Sequence, residues 1–150
     1  MTWTPRVTVA AVIERDGRFL LVEEEDQDGG DPVYNQPAGH WEPEETLEQA
    51  CAREVLEESA HRFDPRQLVG VYRWRRPQGD LTYLRFAFCG EILGIDEGRA
   101  LDRRILRAAW LSPEEIRQLV PRHRSPLVWR CIEDYLSGRR YSLDLITHFA

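Results

Sequence analysis

Residues 39–58 read GHWEPEETLEQACAREVLEE, and they are the most informative stretch of the chain. A glycine comes first, an acidic turn follows, and the second half has the apolar periodicity of a helix. Thr46 followed by Gln49 is the sequence pattern of a capping box. With the turn signal Asp64-Pro65 soon afterwards, this pattern predicts a helix from Thr46 to Ala60.

The predicted helix carries acidic residues on the same side as its apolar residues. At about 100° per residue, one arc contains the apolar side chains of Leu47, Ala50, Cys51 and Val55. Three glutamates fall in or beside that arc: Glu54, Glu57 and Glu58. A solvated acidic face would lie opposite the apolar one. Spacings of i, i+3 and i+4 instead bring these carboxylates together on the inward side.

Three carboxylates this close repel one another, and burial raises the free energy of their charged forms. A divalent cation removes both penalties. Ligands that offer only oxygen favour a hard ion, Mg²⁺ or Mn²⁺, over zinc. The helix face alone leaves a second interpretation open, in which an exposed Glu-rich helix is stabilised by Arg53 and binds no metal.

Composition limits the class of protein. The chain has 150 residues, enough for one domain over residues 1–150, and no apolar run near the roughly 20 residues of a membrane span. No signal-peptide pattern precedes the first strand, so a cytoplasmic protein is expected.

Residues 42–58 hold seven acids and one base, and their summed charge of −6 equals the net charge of the whole chain. This acidity attracts cations and repels nucleic acid. Three isolated cysteines are expected to be reduced and buried: Cys51, Cys89 and Cys131.

The remaining patterns predict short strands, turns and two further helices. Strands are expected at Arg6–Ile13, Phe19–Glu23, Leu68–Trp74, Thr82–Ile92 and Arg107–Leu111. Helices are expected from Ser112-Pro113 to about Val120 and from Ser125-Pro126 to about Leu136. The predicted fold class is α/β: a mixed sheet between helices, an α/β/α sandwich with the acidic helix on one face.

The spacing of the polar residues resembles a known family motif. Gly39, five residues, Glu45, seven residues and then Arg53-Glu54-Val55-x-Glu57-Glu58 is similar to the Nudix box, G-x5-E-x7-R-E-U-x-E-E-x-G-U, where U is a bulky aliphatic residue. Two positions depart from it, because Ala60 stands at the glycine and His61 at the last aliphatic residue. The Nudix resemblance implies an α/β/α sandwich and a phosphoanhydride hydrolase that uses Mg²⁺ or Mn²⁺.

The resemblance also assigns roles inside the box. Glu54, Glu57 and Glu58 match the metal ligands of the family, with help from the backbone carbonyl that matches Gly39. Arg53 matches a residue that orients these carboxylates by pairing with Glu45 or Glu57. Glu54 is the first candidate for the general base. The alternatives are three acids before the last strand: Asp96, Glu97 and Asp102.

Three residues near the box are candidates for substrate binding. His40 and Trp41 follow Gly39 directly, so His40 could bond a phosphate and Trp41 could stack on a pyrimidine. Arg85 lies in a predicted central strand, where an arginine is costly unless it is paired. We therefore expect Arg85 to bind a phosphate or to pair with a glutamate of the box.

Segments outside the box resemble the NudJ-type phosphatases of the same family: Gln36–His40, Tyr83–Phe86, Arg124–Val128 and Tyr135–Tyr141. This likeness implies release of orthophosphate from hydroxymethylpyrimidine diphosphate, thiamine diphosphate and nucleoside di- and triphosphates. One alternative is a pyrophosphatase that cuts nucleoside triphosphates; another is a Nudix-like binding module without catalysis. The expected partner is a small phosphate substrate, and neither nucleic acid nor a membrane is expected to bind. The protein itself is expected to be a monomer or a small homo-oligomer.

Overall fold

The computed structural model describes residues 1–149, which form two β-sheets and three α-helices. The strands are β1 (Arg6–Val12), β2 (Glu14–Arg15), β3 (Arg18–Glu24), β4 (Val33–Asn35), β5 (Ala38–His40), β6 (His61–Arg75), β7 (Thr82–Ile95), β8 (Ile105–Leu111) and β9 (Tyr141–Ser142). The helices are α1 (Leu47–Ser59), α2 (Pro113–Gln118) and α3 (Leu127–Leu136).

The larger sheet is mixed and has the strand order β5-β1-β7-β6-β9. Strands β1 and β7 run parallel, whereas the other neighbouring pairs in this sheet are antiparallel. The second sheet joins β2, β3 and β4, and β8 pairs with β3 on its other side. Because β5 pairs with β1 and carries Gly39, the start of the box is held in the sheet beside α1.

Two hydrophobic cores lie on opposite sides of the larger sheet. The first core packs α1 against the sheet through Leu47, Ala50, Cys51 and Val55, the predicted apolar arc. The second core packs α2 and α3 against the sheet's other face through Ile116, Val128, Cys131 and Ile132. The predicted α/β/α sandwich with a mixed sheet is therefore confirmed, and each layer buries the apolar side of its helices.

Helix α1 begins and ends where the sequence indicated. The hydroxyl of Thr46 accepts from the backbone N–H of Gln49, and the side chain of Gln49 accepts in return, completing the capping box. Ala60 ends the helix at φ 60°, and its N–H donates to the carbonyl of Leu56. Ala60 thus adopts the left-handed conformation that glycine favours, and its Cβ adds backbone strain. His61 is buried and lies edge-on to Trp110, so it replaces an aliphatic core residue.

Some predicted strands were shorter than the observed ones, and one predicted helix was longer. Strand β6 starts at His61 rather than Leu68, because the chain around Pro65 continues along β7 through register shifts. Gly90 permits this close approach, since a Cβ there would overlap the backbone oxygen of Asp64. Helix α2 ends at Gln118 and a 3-10 turn follows over Val120–Arg122, where a proline interrupts the α-helical pattern.

The three cysteines are free and buried, as predicted. Among residues 1–149, no helix is both long and apolar enough to cross a membrane.

Candidate active site

Two of the glutamates of α1, Glu54 and Glu58, lie against the strand that carries Gly39. Glu58 is only 7% exposed, and its Oε1 accepts from the backbone N–H of Ala38 at 2.9 Å. The carboxylate of Glu54 lies against Gly39, where an added Cβ would overlap it. Glycine is therefore required at position 39 because the side chain of Glu54 fills the space that a larger residue would occupy.

Arg53 connects the glutamates to one another. Its Nε and Nη2 donate to the two carboxylate oxygens of Glu45 at 3.0 and 2.8 Å. Its Nη1 donates to Glu54 at 2.8 Å and to Glu57 at 2.9 Å. A further bond runs from Nη2 to the backbone carbonyl of His40 at 3.0 Å. Both pairings expected for Arg53 are thus present, and the guanidinium orients three carboxylates at once.

Burial changes the acidity of two of these glutamates. It raises the pKa of Glu54 to about 7, against the opposing effect of Arg53. It raises the pKa of Glu58 to about 9, and the nearby charges of Glu24, Glu54 and Asp102 act in the same direction. The pKa of Glu45 is lowered by its hydrogen bonds with Arg53. Burial therefore disfavours the ionised forms of Glu54 and Glu58, and a bound cation would favour them.

Two more acids lie at this site, and neither belongs to the box. Glu24, at the end of β3, is largely buried; burial raises its pKa, and its charge acts on Glu58. Asp102 precedes β8, and its backbone N–H donates to the carbonyl of Glu57 at 2.8 Å, which joins the β7–β8 loop to the end of α1. The sequence pattern does not single out Glu24, because it follows a run of core residues and lies 30 positions or more from Glu54, Glu57 and Glu58.

The donor set fits a hard divalent cation. Among residues 1–149, no three His, Cys, Asp or Glu side chains are already arranged to coordinate a metal, and Arg53 holds oxygens of Glu54 and Glu57. The facing groups are nonetheless carboxylates, which Mg²⁺ and Mn²⁺ prefer. Mutual repulsion and burial raise the free energy of these ionised groups, and a bound cation would lower it.

The other candidates for the general base differ in position. Asp96 and Glu97 are exposed beyond the end of α1, where the N–H of Asp96 donates to the carbonyl of Ala60. Asp102 alone among these loop acids influences the pKa of both Glu54 and Glu58. The geometry therefore brings Asp102 to the box and leaves Asp96 and Glu97 at its edge.

His40 and Trp41 lie at the rim of the site. His40 is exposed, and the pKa of its imidazole is lowered by partial burial and by the charges of Arg6, Arg124 and Arg104. Trp41 is partly exposed, and its Nε1 donates to the carbonyl of Glu45 at 2.8 Å, which fixes the ring against the turn before α1. Their predicted roles in substrate binding stay predictions.

Arg85 lies deeper than its predicted role suggests. It is 6% exposed, and its Nη1 and Nη2 donate to the side-chain oxygens of Gln36 and Asn35, both at 2.9 Å. Gln36 in turn donates to the carbonyl of Val128 at 2.8 Å. Among the described residues, Arg85 forms no ion pair with a glutamate of the box. Its buried charge is met by two neutral amides, so its predicted contact with a phosphate stays a prediction.

Comparisons with known proteins show the family of this chain. The model of the NUDIX domain family matches residues 3–129. The chain is 41% identical to Phosphatase NudJ of Escherichia coli over 145 residues, which covers 97% of this chain and 92% of that protein.

The fold is likewise similar to solved structures. A NUDIX hydrolase from Nitrosomonas europaea superposes with a TM-score of 0.94 at 52% identity, covering 97% of this chain and 98% of that one. A MutT NUDIX hydrolase from Burkholderia pseudomallei, at 21% identity, has a TM-score of 0.73 over 88% of this chain and 98% of that one, and shows the same fold. The box carboxylates, their arginine and the family match together establish that this chain belongs to the Nudix family and is a Nudix hydrolase.

Proposed function

We propose that the enzyme hydrolyses a phosphoanhydride in small diphosphates and triphosphates with Mg²⁺ or Mn²⁺, and that it releases orthophosphate. The positions of Glu54 against Gly39 and of Glu58 against Ala38, with Arg53 bonded to both Glu54 and Glu57, support this proposal. The likeness to Phosphatase NudJ over nearly the whole chain favours orthophosphate as the product.

In this proposal, Glu54, Glu57, Glu58 and the carbonyl of Gly39 hold the metal. A bound metal would neutralise phosphate charge and lower the pKa of water. Arg53 keeps the glutamates in place by its bonds to Glu45, Glu54 and Glu57. This positioning matters because phosphoryl transfer depends on orientation and charge stabilisation more than on covalent help from the protein.

Glu54 is our first choice as general base. Its carboxylate lies against Gly39 and accepts from Arg53, so it is held inside the proposed metal site, where the attacking water would be bound. Asp102 is the alternative, because it lies beside the same glutamates on the β7–β8 loop. His40, Trp41 and Arg85 are proposed to contact the substrate.

Hydroxymethylpyrimidine diphosphate, thiamine diphosphate and nucleoside di- and triphosphates are the proposed substrates. A panel of these compounds should be assayed with Mg²⁺ while orthophosphate and pyrophosphate are measured separately. We expect orthophosphate to be the main product, EDTA to abolish turnover, and Mg²⁺ or Mn²⁺ to restore it. Pyrophosphate from triphosphates would favour the pyrophosphatase alternative, and full activity in EDTA would contradict the metal site.

A further inference from the structure

Two arginines outside the box meet at one neutral side chain. With the amide of Gln27 oriented to match its neighbours, its oxygen accepts from Arg104 Nη1 at 2.9 Å and from Arg124 Nη2 at 3.1 Å. These residues come from three separate segments: the β3–β4 loop, the turn before β8 and the turn before α3. The fold therefore brings two positive charges to the same oxygen, although they are distant in sequence.

The carboxylate bonded to this pair is that of Glu24, and the charges of Arg124, Arg104 and Arg85 all act on it. Arg124 Nη1 donates to Glu24 at 3.1 Å, whereas among residues 1–149 no salt bridge joins Arg104 to an acid. Arg85 lies near enough to act on the pKa of Glu24, but its own hydrogen bonds go to amide oxygens. A neutral amide does not cancel a guanidinium charge, and one acid, Glu24, is bonded to the pair, so Arg104 keeps a charge without an ion pair among residues 1–149. A phosphate dianion, with oxygens that match the fork of a guanidinium, would cancel it.

The pair borders the acidic site. Glu24 links the two regions, because its carboxylate bonds Arg124 and its charge also acts on Glu58. Arg104 lies two residues after Asp102, on the loop that is bonded to the end of α1. Arg104 is exposed and Arg124 half-buried, so a ligand can approach both.

We infer that Arg104 and Arg124 form a phosphate-binding site that takes the phosphoryl group adjacent to the one attacked. The choice of a two-phosphate ligand rests on the proposed function. Glu54, Glu57 and Glu58 serve the reacting phosphate, while the arginine pair holds its neighbour and selects substrates with at least two linked phosphates. The pair positions the substrate and takes no part in proton transfer.

The test uses methylenediphosphonate, a diphosphate analogue that cannot be hydrolysed, titrated into the full-length protein with Mg²⁺ by isothermal calorimetry. We expect Arg104→Gln and Arg124→Gln each to raise Kd by about tenfold or more. Arg103→Gln is the matched control, because Arg103 is exposed, adjacent in sequence and free of ion pairs among the described residues. The control should change Kd by less than about twofold.

Kinetics with a hydrolysable diphosphate give a second measurement. The two variants should raise KM by about tenfold while kcat changes less than about threefold, since they contact a group that does not react. Arg124→Lys should recover part of the affinity because it keeps the charge without the fork. If the Arg124→Gln variant does not fold, the Arg104→Gln variant alone decides the test. That substitution removes no ion pair within residues 1–149, so it should leave the fold intact.

Unchanged Kd in both variants, an equal loss in Arg103→Gln, or no binding of the probe by the wild-type protein would overturn the inference. Failure of the proposed function can be distinguished from failure of this inference. If the arginines control binding of the probe but no diphosphate is hydrolysed, the phosphate site stands and the proposed reaction falls. If diphosphates are hydrolysed with the same KM in both arginine variants, the reaction stands and the site falls.

Discussion

Glu58 and Glu48 belong to the same helix but have different surroundings. Glu58 is buried and accepts from the backbone of Ala38, whereas Glu48 is half-buried and bonds His148 at 3.1 Å on the outer side. A carboxylate that is buried without a cationic partner costs free energy when it is ionised, and a bound cation at Glu58 would offset that cost. Glu48 has an ordinary surface contact of small energetic value.

Removing one charge from the box should therefore reduce catalysis without disturbing the fold. We expect Glu57→Gln or Glu58→Gln to lower kcat by at least about 10²-fold, because each weakens the metal site. Glutamine at position 58 can still accept from Ala38. Steady-state kinetics and circular dichroism check this expectation, with Glu48→Gln as the control that should keep nearly full activity. Equal losses in all three variants would mean that the helix face has been misinterpreted.

Helix α1 combines a well-formed beginning with a strained end and a charged inner side. Its capping box satisfies backbone donors at the first turn, while Ala60 holds a left-handed conformation at the last. The apolar residues Cys51 and Val55 hold it against the sheet. Packing thus stabilises a helix whose inner glutamates would otherwise favour solvent.

This arrangement makes the stability of the metal-free protein depend on pH. Burial raises the pKa of Glu54 to about 7 and of Glu58 to about 9, above the ordinary value of 4.5. The folded state therefore binds more protons than the unfolded chain over this range. The contribution of these two groups is complete below about pH 4.5 and is lost as pH rises toward 9.

Urea unfolding at pH 5, 7 and 9 in EDTA measures this effect. The free energy of unfolding of the wild type should fall with rising pH relative to Glu58→Gln, which lacks one of the two titrating groups. In a parallel series with Mg²⁺ in place of EDTA, the free energy of unfolding should fall less with rising pH, because Mg²⁺ binds the ionised carboxylates of the folded state. Parallel pH profiles for the wild type and the variant would contradict the assignment.

At the scale of the whole molecule, the segment after α3 packs against the larger sheet. Strand β9 pairs with the edge of β6, and Leu143 and Ile146 pack against the core beneath α1. Residues that are remote from the box therefore help to cover the sheet on which α1 rests. Phe149, by contrast, is 92% exposed.

Truncation after Arg140 should lower the melting temperature while truncation after Thr147 should not. Loss of two partly buried aliphatic side chains costs about 1–3 kcal/mol, which corresponds to roughly 3–10 °C for a chain of this size. Removal of the residues after Thr147 takes away the exposed side chain of Phe149 and the exposed contact between His148 and Glu48. Differential scanning calorimetry compares the two; equal melting temperatures would show that the segment contributes no stability.

The sequence by itself determined α1, its capping box and the carboxylates on its inner side. These features are local, because residues three and four positions apart meet on any helix, and Thr46 and Gln49 cap the turn they begin. The alternation of strands and turns also predicted the mixed sheet and the sandwich. Strand ends were less well predicted, as at Pro65, because pairing with β7 overrides a local turn signal.

Only the tertiary structure decided what surrounds those carboxylates. The charge of Glu24, at the end of β3, acts on the pKa of Glu58, and Arg104 and Arg124 meet at Gln27 from segments that lie far apart in the chain. Arg85 bonds Asn35 and Gln36 rather than an acid, which its own strand pattern could not indicate. The physical reason is that sequence periodicity specifies which face a side chain occupies. The groups opposite that face depend on how distant strands and loops pack together.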